Sequence, residues 1–242
     1  MNRYMSSVKV LVFMSALGAV SVFADSNVGP EDLEGFFIGV DAAYSHSSVK
    51  NGNALQDTYI NGQKEESEPG RIYKNKRSCI DPSVSIGYGH FFNNWYLGLS
   101  GDVSFGKNGE SYVVTDSSSK AGYEARIDGV SYEVKAKGGY YFSDFNSVIY
   151  GIAGLKWQNV SYRNFVDGKF SSKAKLKTPI FVLGIGFERS VYKKLSFSAE
   201  YEYSWRSSSD QIRWERGYVN VITDMKQKLR GHTVKVGVKY HI

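Results

Sequence analysis

Cysteine is almost missing. Cys79 is the only one in 242 residues, which excludes an intramolecular disulfide and leaves the role of a small, partly buried side chain. Proline occurs only four times, so little interrupts an extended backbone. Past the N-terminal region no apolar run approaches the roughly 18 residues of a helical membrane span, and the mean hydropathy is negative at -0.34. Charge of one sign is also lacking: the formal balance of +6 falls to +4 once Arg3 and Lys9 are set aside, too small an excess to point to nucleic acid. What is abundant is glycine, with 25 residues, and aromatic side chains at 15%, a composition suited to strands with aromatic girdles.

Arg3 and Lys9 precede an apolar run from Val10 to Val22, which leads into Val22-Phe23-Ala24 before Asp25. This is the pattern of a secretory signal peptide over residues 1–24, with cleavage expected between Ala24 and Asp25. The run is shorter than a bilayer-crossing helix and contains Ser15, Gly18 and Ser21, and the lack of a cysteine at the cleavage point argues against a lipoprotein. Residues 25–242 are then one exported domain.

Its dominant signal is period two. Leu195, Phe197, Ala199, Tyr201, Tyr203 and Trp205 alternate with Ser196, Ser198, Glu200, Glu202, Ser204 and Arg206. Val234, Val236, Val238, Tyr240 and Ile242 alternate in the same way with Thr233, Lys235, Gly237, Lys239 and His241. Side chains of a strand point alternately to its two faces, so each segment sorts onto one oily and one polar surface. Six further segments read alike, at approximately 36–44, 83–89, 95–105, 130–142, 149–158 and 181–188. Eight is an even number, as closure of an antiparallel bacterial barrel generally requires.

The connections alternate too. Phe92-Asn93-Asn94, Ser143 to Asn146 and Ser190 to Lys194 are short, whereas about 45–80, 106–128, 161–178 and 207–231 are long and polar. Short turns on one rim and long loops on the other are the periplasmic and extracellular ends of a transmembrane barrel. Outward aromatics gather at both rims: Phe36, Tyr88, Trp95, Tyr140, Phe142, Phe187 and Tyr240 near the turns, and Tyr44, Phe105, Trp157, Phe181, Tyr203 and Trp205 near the loops. The predicted fold is all-β, an eight-stranded antiparallel up-and-down transmembrane β-barrel, with lipid outside and polar groups within.

On these features the chain resembles the small outer-membrane barrels of the OmpA and OmpX type, over the whole exported part. The resemblance is one of architecture. Its nearest approach to a motif is the C-terminal strand, where Val238 and Tyr240 fit the assembly signal of that family while Ile242 stands where an aromatic residue is usual. It implies a location in the outer membrane of a Gram-negative bacterium, no cofactor, and contact with outer-membrane lipid, lipopolysaccharide and the barrel-assembly machinery. A monomer is expected.

The inward positions carry Asp41, Asp102, Glu133, Glu188, Glu200 and Glu202 against Lys135, Lys137, Lys156, Arg206, Lys235 and Lys239. Eight strands enclose little more than side chains, so these groups are expected to form an internal network and plug the lumen. Glu200 and Glu202 are expected to pair with Lys235 and Lys239 on the neighbouring strand; a narrow gated pore for small solutes is the alternative.

Enzymatic barrels of this size exist, so the histidines bear on the question. His46 is followed by Ser47 and Ser48, and His232 opens the last strand, but both fall on the outward parity and no inward acid is placed to orient them. His90 and His241 lie on opposite faces near the turn rim, which offers no metal cluster, and no catalytic or metal site is expected. The loops are the remaining seat of activity. Arg163, Lys169, Lys173, Lys175 and Lys177 make the third one basic and suited to lipopolysaccharide phosphates, and the alternation from Tyr218 to Ile222 suggests a hairpin extending beyond the membrane. The expected duties are envelope integrity and surface interaction or adhesion, with a host surface molecule among the expected partners.

Overall fold

In the computed structural model, backbone is described for residues 29–60, 63–68, 72–106, 112–115, 121–166, 169–216 and 219–242. Side chains are described for 29–48, 63–64, 78–106, 129–158, 179–207 and 228–242. The expected cleavage site at Ala24 and Asp25 lies outside these residues.

Ten strands follow one another: β1(Gly35–Ile60), β2(Gln63–Glu68), β3(Ile72–Phe92), β4(Trp95–Phe105), β5(Tyr112–Thr115), β6(Ala121–Phe142), β7(Ser147–Val166), β8(Lys169–Tyr192), β9(Leu195–Arg216) and β10(Val219–His241). Eight of them, all except the short β2 and β5, form a closed antiparallel barrel. Each pairs with the next along the chain, and β1 pairs with β10 from Phe37↔His241 to Ile60↔Val219 to close the ring. Across the oily band closure pairs every strand on both sides, as a strand crossing hydrocarbon requires.

Burial alternates as the sequence does. Phe36, Ile38, Val40, Leu97, Leu99, Leu183, Ile185, Val238 and Tyr240 are exposed, while Ser83, Ser85, Ser100, Glu133, Lys135, Ser198, Glu200, Lys235 and Lys239 are buried. The oily rows therefore face outward and the ionised groups face the axis, an inversion of a soluble barrel.

Three tight turns join strands at one end. Asn93 and Asn146 take left-handed backbone there with φ of 56° and 47°, a conformation Asn tolerates, and Lys194 does so with φ 61°. At the other end the segments read from sequence as long loops are largely paired backbone. β1 with β10, β6 with β7, β7 with β8 and β9 with β10 continue as ladders well past the oily rows. The 16 residues of β1 from Ser45 to Ile60 extend it by roughly 50 Å along the strand at 3.3 Å per residue. Ser, Asn and Lys do not prevent this, because a ladder in water needs backbone bonds and not an oily face.

Before β1 a short 3-10 turn, Pro30–Leu33, folds under the barrel. Proline at its first position suits a helical start, and Leu33 is its one buried side chain. Leu33 packs with Tyr96, Tyr141, Val148, Tyr150 and Ile152, forming an apolar floor at the turn end.

Candidate functional site

The lumen holds the chemistry, in layers. Above the apolar floor, Phe37 and Tyr150 present their rings to two ammonium groups. Lys137 Nζ lies 4.9 Å from the Tyr150 centroid and Lys239 Nζ 5.0 Å from that of Phe37. Room for these rings comes from inward glycines: a Cβ at Gly87 would approach Phe37 Cζ to 2.5 Å, and one at Gly186 would approach Tyr150 Cζ to 2.5 Å.

Some of the ion pairs cross the axis and others join neighbouring strands. Lys135 Nζ on β6 lies 2.6 Å from Asp102 on β4, 2.6 Å from Glu200 and 3.2 Å from Glu202 on β9. Lys235 Nζ on β10 lies 2.8 Å from Glu202, 2.9 Å from Glu133 on β6 and 3.0 Å from Asp102. In the ring of eight, β6 and β10 stand diametrically opposed, so the Lys235–Glu133 contact spans the full lumen. Lys137 donates to Glu200 Oε1 at 2.7 Å, and the Tyr150 hydroxyl donates to the same oxygen at 2.8 Å. Lys239 donates to Glu188 at 2.5 Å, where Ser196 Oγ (2.6 Å) and His241 Nε2 (3.0 Å) also meet the carboxylate.

Of the neighbouring-strand pairs anticipated from sequence, only Glu202 with Lys235 is present. Glu200 turns to Lys135 and Lys137, and Lys239 to Glu188. The reason is geometric: inward side chains aim at the axis, and in so narrow a barrel a Lys reaches the opposite wall as readily as its neighbour. Three of the twelve inward groups stand apart from these pairs. Asp41 is half-buried and accepts from Ser85 Oγ at 3.1 Å, Lys156 lines a polar cavity at the outer end with Ser131, Gln158, Ser204 and Thr233, and Arg206 is buried further along β9. Tyr150, Phe37, Leu33, Ser196 and His241 complete the packing and were not singled out as site residues from sequence. The parity of Phe37 and Tyr150 already placed them inside, whereas nothing in Gly29 to Glu34 announces that Leu33 turns upward.

Asp102, Glu200 and Glu202 bring carboxylate oxygens within 4.8 Å of one another, the geometry of a cation site. The chain supplies the cations itself, because Lys135 Nζ contacts all three and Lys235 Nζ contacts two of them. A metal ion would have to displace an ammonium already in place.

On the outer face, His46 Nδ1 meets Ser78 Oγ at 2.8 Å and His232 Nδ1 meets the Tyr201 hydroxyl at 2.6 Å. Neither contact is to Ser47 or Ser48. At the turn rim His90 contacts Glu34. Arg163 on β7 stands opposite Lys173 on β8, with Lys175 and Lys177 further along the same ladder and Lys169 near its tip; their side chains lie outside the described residues. Val238, Tyr240 and Ile242 are exposed along the outer face of the closing strand.

Solved structures with a similar course include Ail, the attachment invasion locus protein of Yersinia pestis, at 14% identity, covering 86% of this chain and 99% of that one with a TM-score of 0.39. Neisserial surface protein A is similar at 14% identity, covering 86% and 98%, TM-score 0.44. The outer membrane protease OmpT from Escherichia coli is similar at 11% identity, covering 85% and 97%, TM-score 0.45. Likenesses of this extent carry no argument about activity. No curated protein sequence matches the chain. The outer membrane protein beta-barrel domain matches residues 10–241, and with a closed barrel, an oily exterior and an ionised interior the chain belongs to that family of bacterial outer-membrane proteins.

Proposed function

We propose that this protein is a monomeric, non-enzymatic barrel that strengthens the outer membrane and presents its extended hairpins at the cell surface for interaction or adhesion. The observation that carries this reading is the reach of the lumenal ion pairs from wall to wall, Lys235 to Glu133 and Lys135 to Glu200. Groups that neutralise each other across the axis occupy the space an aqueous channel needs. Activity then belongs to the exterior, where paired strands stand far beyond the oily rows as scaffolds for recognition or for strand addition by a partner. Arg163, Lys169, Lys173, Lys175 and Lys177 on the β7–β8 hairpin meet lipopolysaccharide phosphates, and Val238, Tyr240 and Ile242 are the positions read by the barrel-assembly machinery.

Planar-bilayer recording of the refolded protein, with adhesion assays on cells that display it, tests the reading. A silent membrane and adhesion that disappears when the β1–β3 and β9–β10 hairpins are shortened to their membrane ends support it. A steady conductance that shifts ion selectivity in Glu200→Gln moves the activity into the lumen and overturns it.

A further inference from the structure

Above the ion-paired layers lies the polar cavity that Lys156 lines. Ser45, Ser131 and Thr233 give it hydroxyls and Gln158 an amide. Two charges face it from separate strands, Lys156 on β7 and Asp81 on β3, three places apart on the ring of eight. Neither is paired with a counterion. Among the described residues Lys156 makes no hydrogen bond or ion pair, since Glu133, opposite it on β6, is engaged by Lys235 at 2.9 Å. Asp81 has one weak partner: the Cys79 thiol donates to Oδ2 at 3.1 Å, while Oδ1 is buried without one. Gly106 makes room for this carboxylate, because a Cβ there would come within 2.7 Å of Oδ1.

The two unpaired charges define what the cavity fits. An anion alone would satisfy Lys156 and leave Asp81 facing a like charge; a cation alone would do the reverse. A molecule that carries both a carboxylate and an ammonium neutralises both walls at once, with the hydroxyls and Gln158 placed for its remaining polar atoms. A primary ammonium suits Asp81 better than a quaternary one, because the carboxylate needs hydrogen-bond donors. Free space of about 40 Å³ holds only a few water-sized groups, so the molecule is short. Pairing of β3 with β4 ends at Ser83↔Ser104 and that of β8 with β9 at Phe181↔Trp205, close to the cavity, so the way in is from the outer end. Below, Lys235 with Asp102 and Glu133 closes the lumen, which makes the site blind.

We propose that this cavity is a binding site for a small zwitterion, an amino acid with a primary ammonium and a carboxylate on a short chain. Lys156 takes the carboxylate and Asp81 the ammonium. The site goes beyond the surface reading and does not depend on it, since it uses none of the hairpin residues.

The test is calorimetric titration of the refolded exported chain, in an uncharged maltoside detergent, with glycine, β-alanine and γ-aminobutyrate, which separate the two charges by one to three methylenes. Sodium acetate and methylammonium chloride supply each charge alone. One of the three zwitterions is expected to bind saturably, about tenfold or more tightly than either single-charge probe, the worth of one additional charge-assisted bond. Lys156→Gln and Asp81→Asn, with heat-dependent gel mobility checked to establish folding, are each expected to weaken that zwitterion about tenfold. The first removes binding of acetate only and the second that of methylammonium only. Acetate binding as tightly as the best zwitterion would make this a simple anion site, and unchanged affinity in both folded variants, or no saturable binding of any zwitterion, would equally overturn the proposal.

Discussion

The hydroxyl of Tyr150 donates to Oε1 of Glu200 across 2.8 Å, and the ring of the same tyrosine lies in the cluster that receives Leu33. One side chain thus joins the apolar floor to the ionised layer above it. Tyr150→Phe keeps the ring and leaves Glu200 its two lysines, so the expected loss is about 1–2 kcal/mol in a denaturant titration of the vesicle-inserted barrel. A loss as large as that of a full ring deletion would mean that the hydroxyl, and not the ring, organises the floor.

Lys135 contacts three carboxylates. Lys135→Met leaves Asp102, Glu200 and Glu202 facing each other with one ammonium fewer, and is expected to cost about 3–5 kcal/mol in the same titration.

Lys239 and Glu188 form a more self-contained pair at 2.5 Å, so a double-mutant cycle is informative there. Lys239→Met and Glu188→Leu should each destabilise the barrel, and the double variant should lose clearly less than the sum. Strict additivity would show that the two groups act separately.

Gly186→Ala sets a methyl against the Tyr150 ring. The expected cost is about 1–3 kcal/mol, because the ring is fully buried and carries Lys137 Nζ over its face. The same change at the outward Gly151, whose nearest neighbour to an added Cβ is 3.8 Å away, should be close to neutral.

Leu33→Ala empties a fully buried position beneath the floor. A loss of about 2 kcal/mol is expected, near the lower end for such changes since a terminal turn can partly settle into the gap. Bilayer recordings of this variant should stay silent, because the ion pairs above remain; a conductance would identify the floor as the seal.

Most of the barrel was legible because parity is a local property. The oily row from Leu195 to Trp205 lies on the outer face for the same reason, with Ala199 the one member that is fully buried, and Asn93-Asn94 and Ser143 to Asn146 turn the chain where short polar stretches interrupt the alternation. Which lumenal groups exist was equally legible. Which ones meet was not, since parity says that Glu200 and Lys239 point inward but not how far each reaches across the axis or that Glu188 lies nearer to Lys239. Leu33 escaped for a different reason: its burial depends on a fold-back of a short acidic turn that has no periodicity to read. Extension of the ladders through the polar segments was visible only from Tyr218 to Ile222, where alternation persists; elsewhere the backbone pairs without a side-chain signature.

The seam between β1 and β10 joins residues from opposite ends of the sequence, from Phe37 with His241 onward, and Ile242 donates its amide to the Phe36 carbonyl. Until that last hairpin-length of polypeptide arrives, the growing cylinder is a curled ribbon with two bare margins, and the lysines of β10 are missing from the axis. The strand that seals the wall against lipid is thus also the one that carries Lys235 to Asp102, Glu133 and Glu202, so closure of the wall and neutralisation of the axis depend on the same pairing.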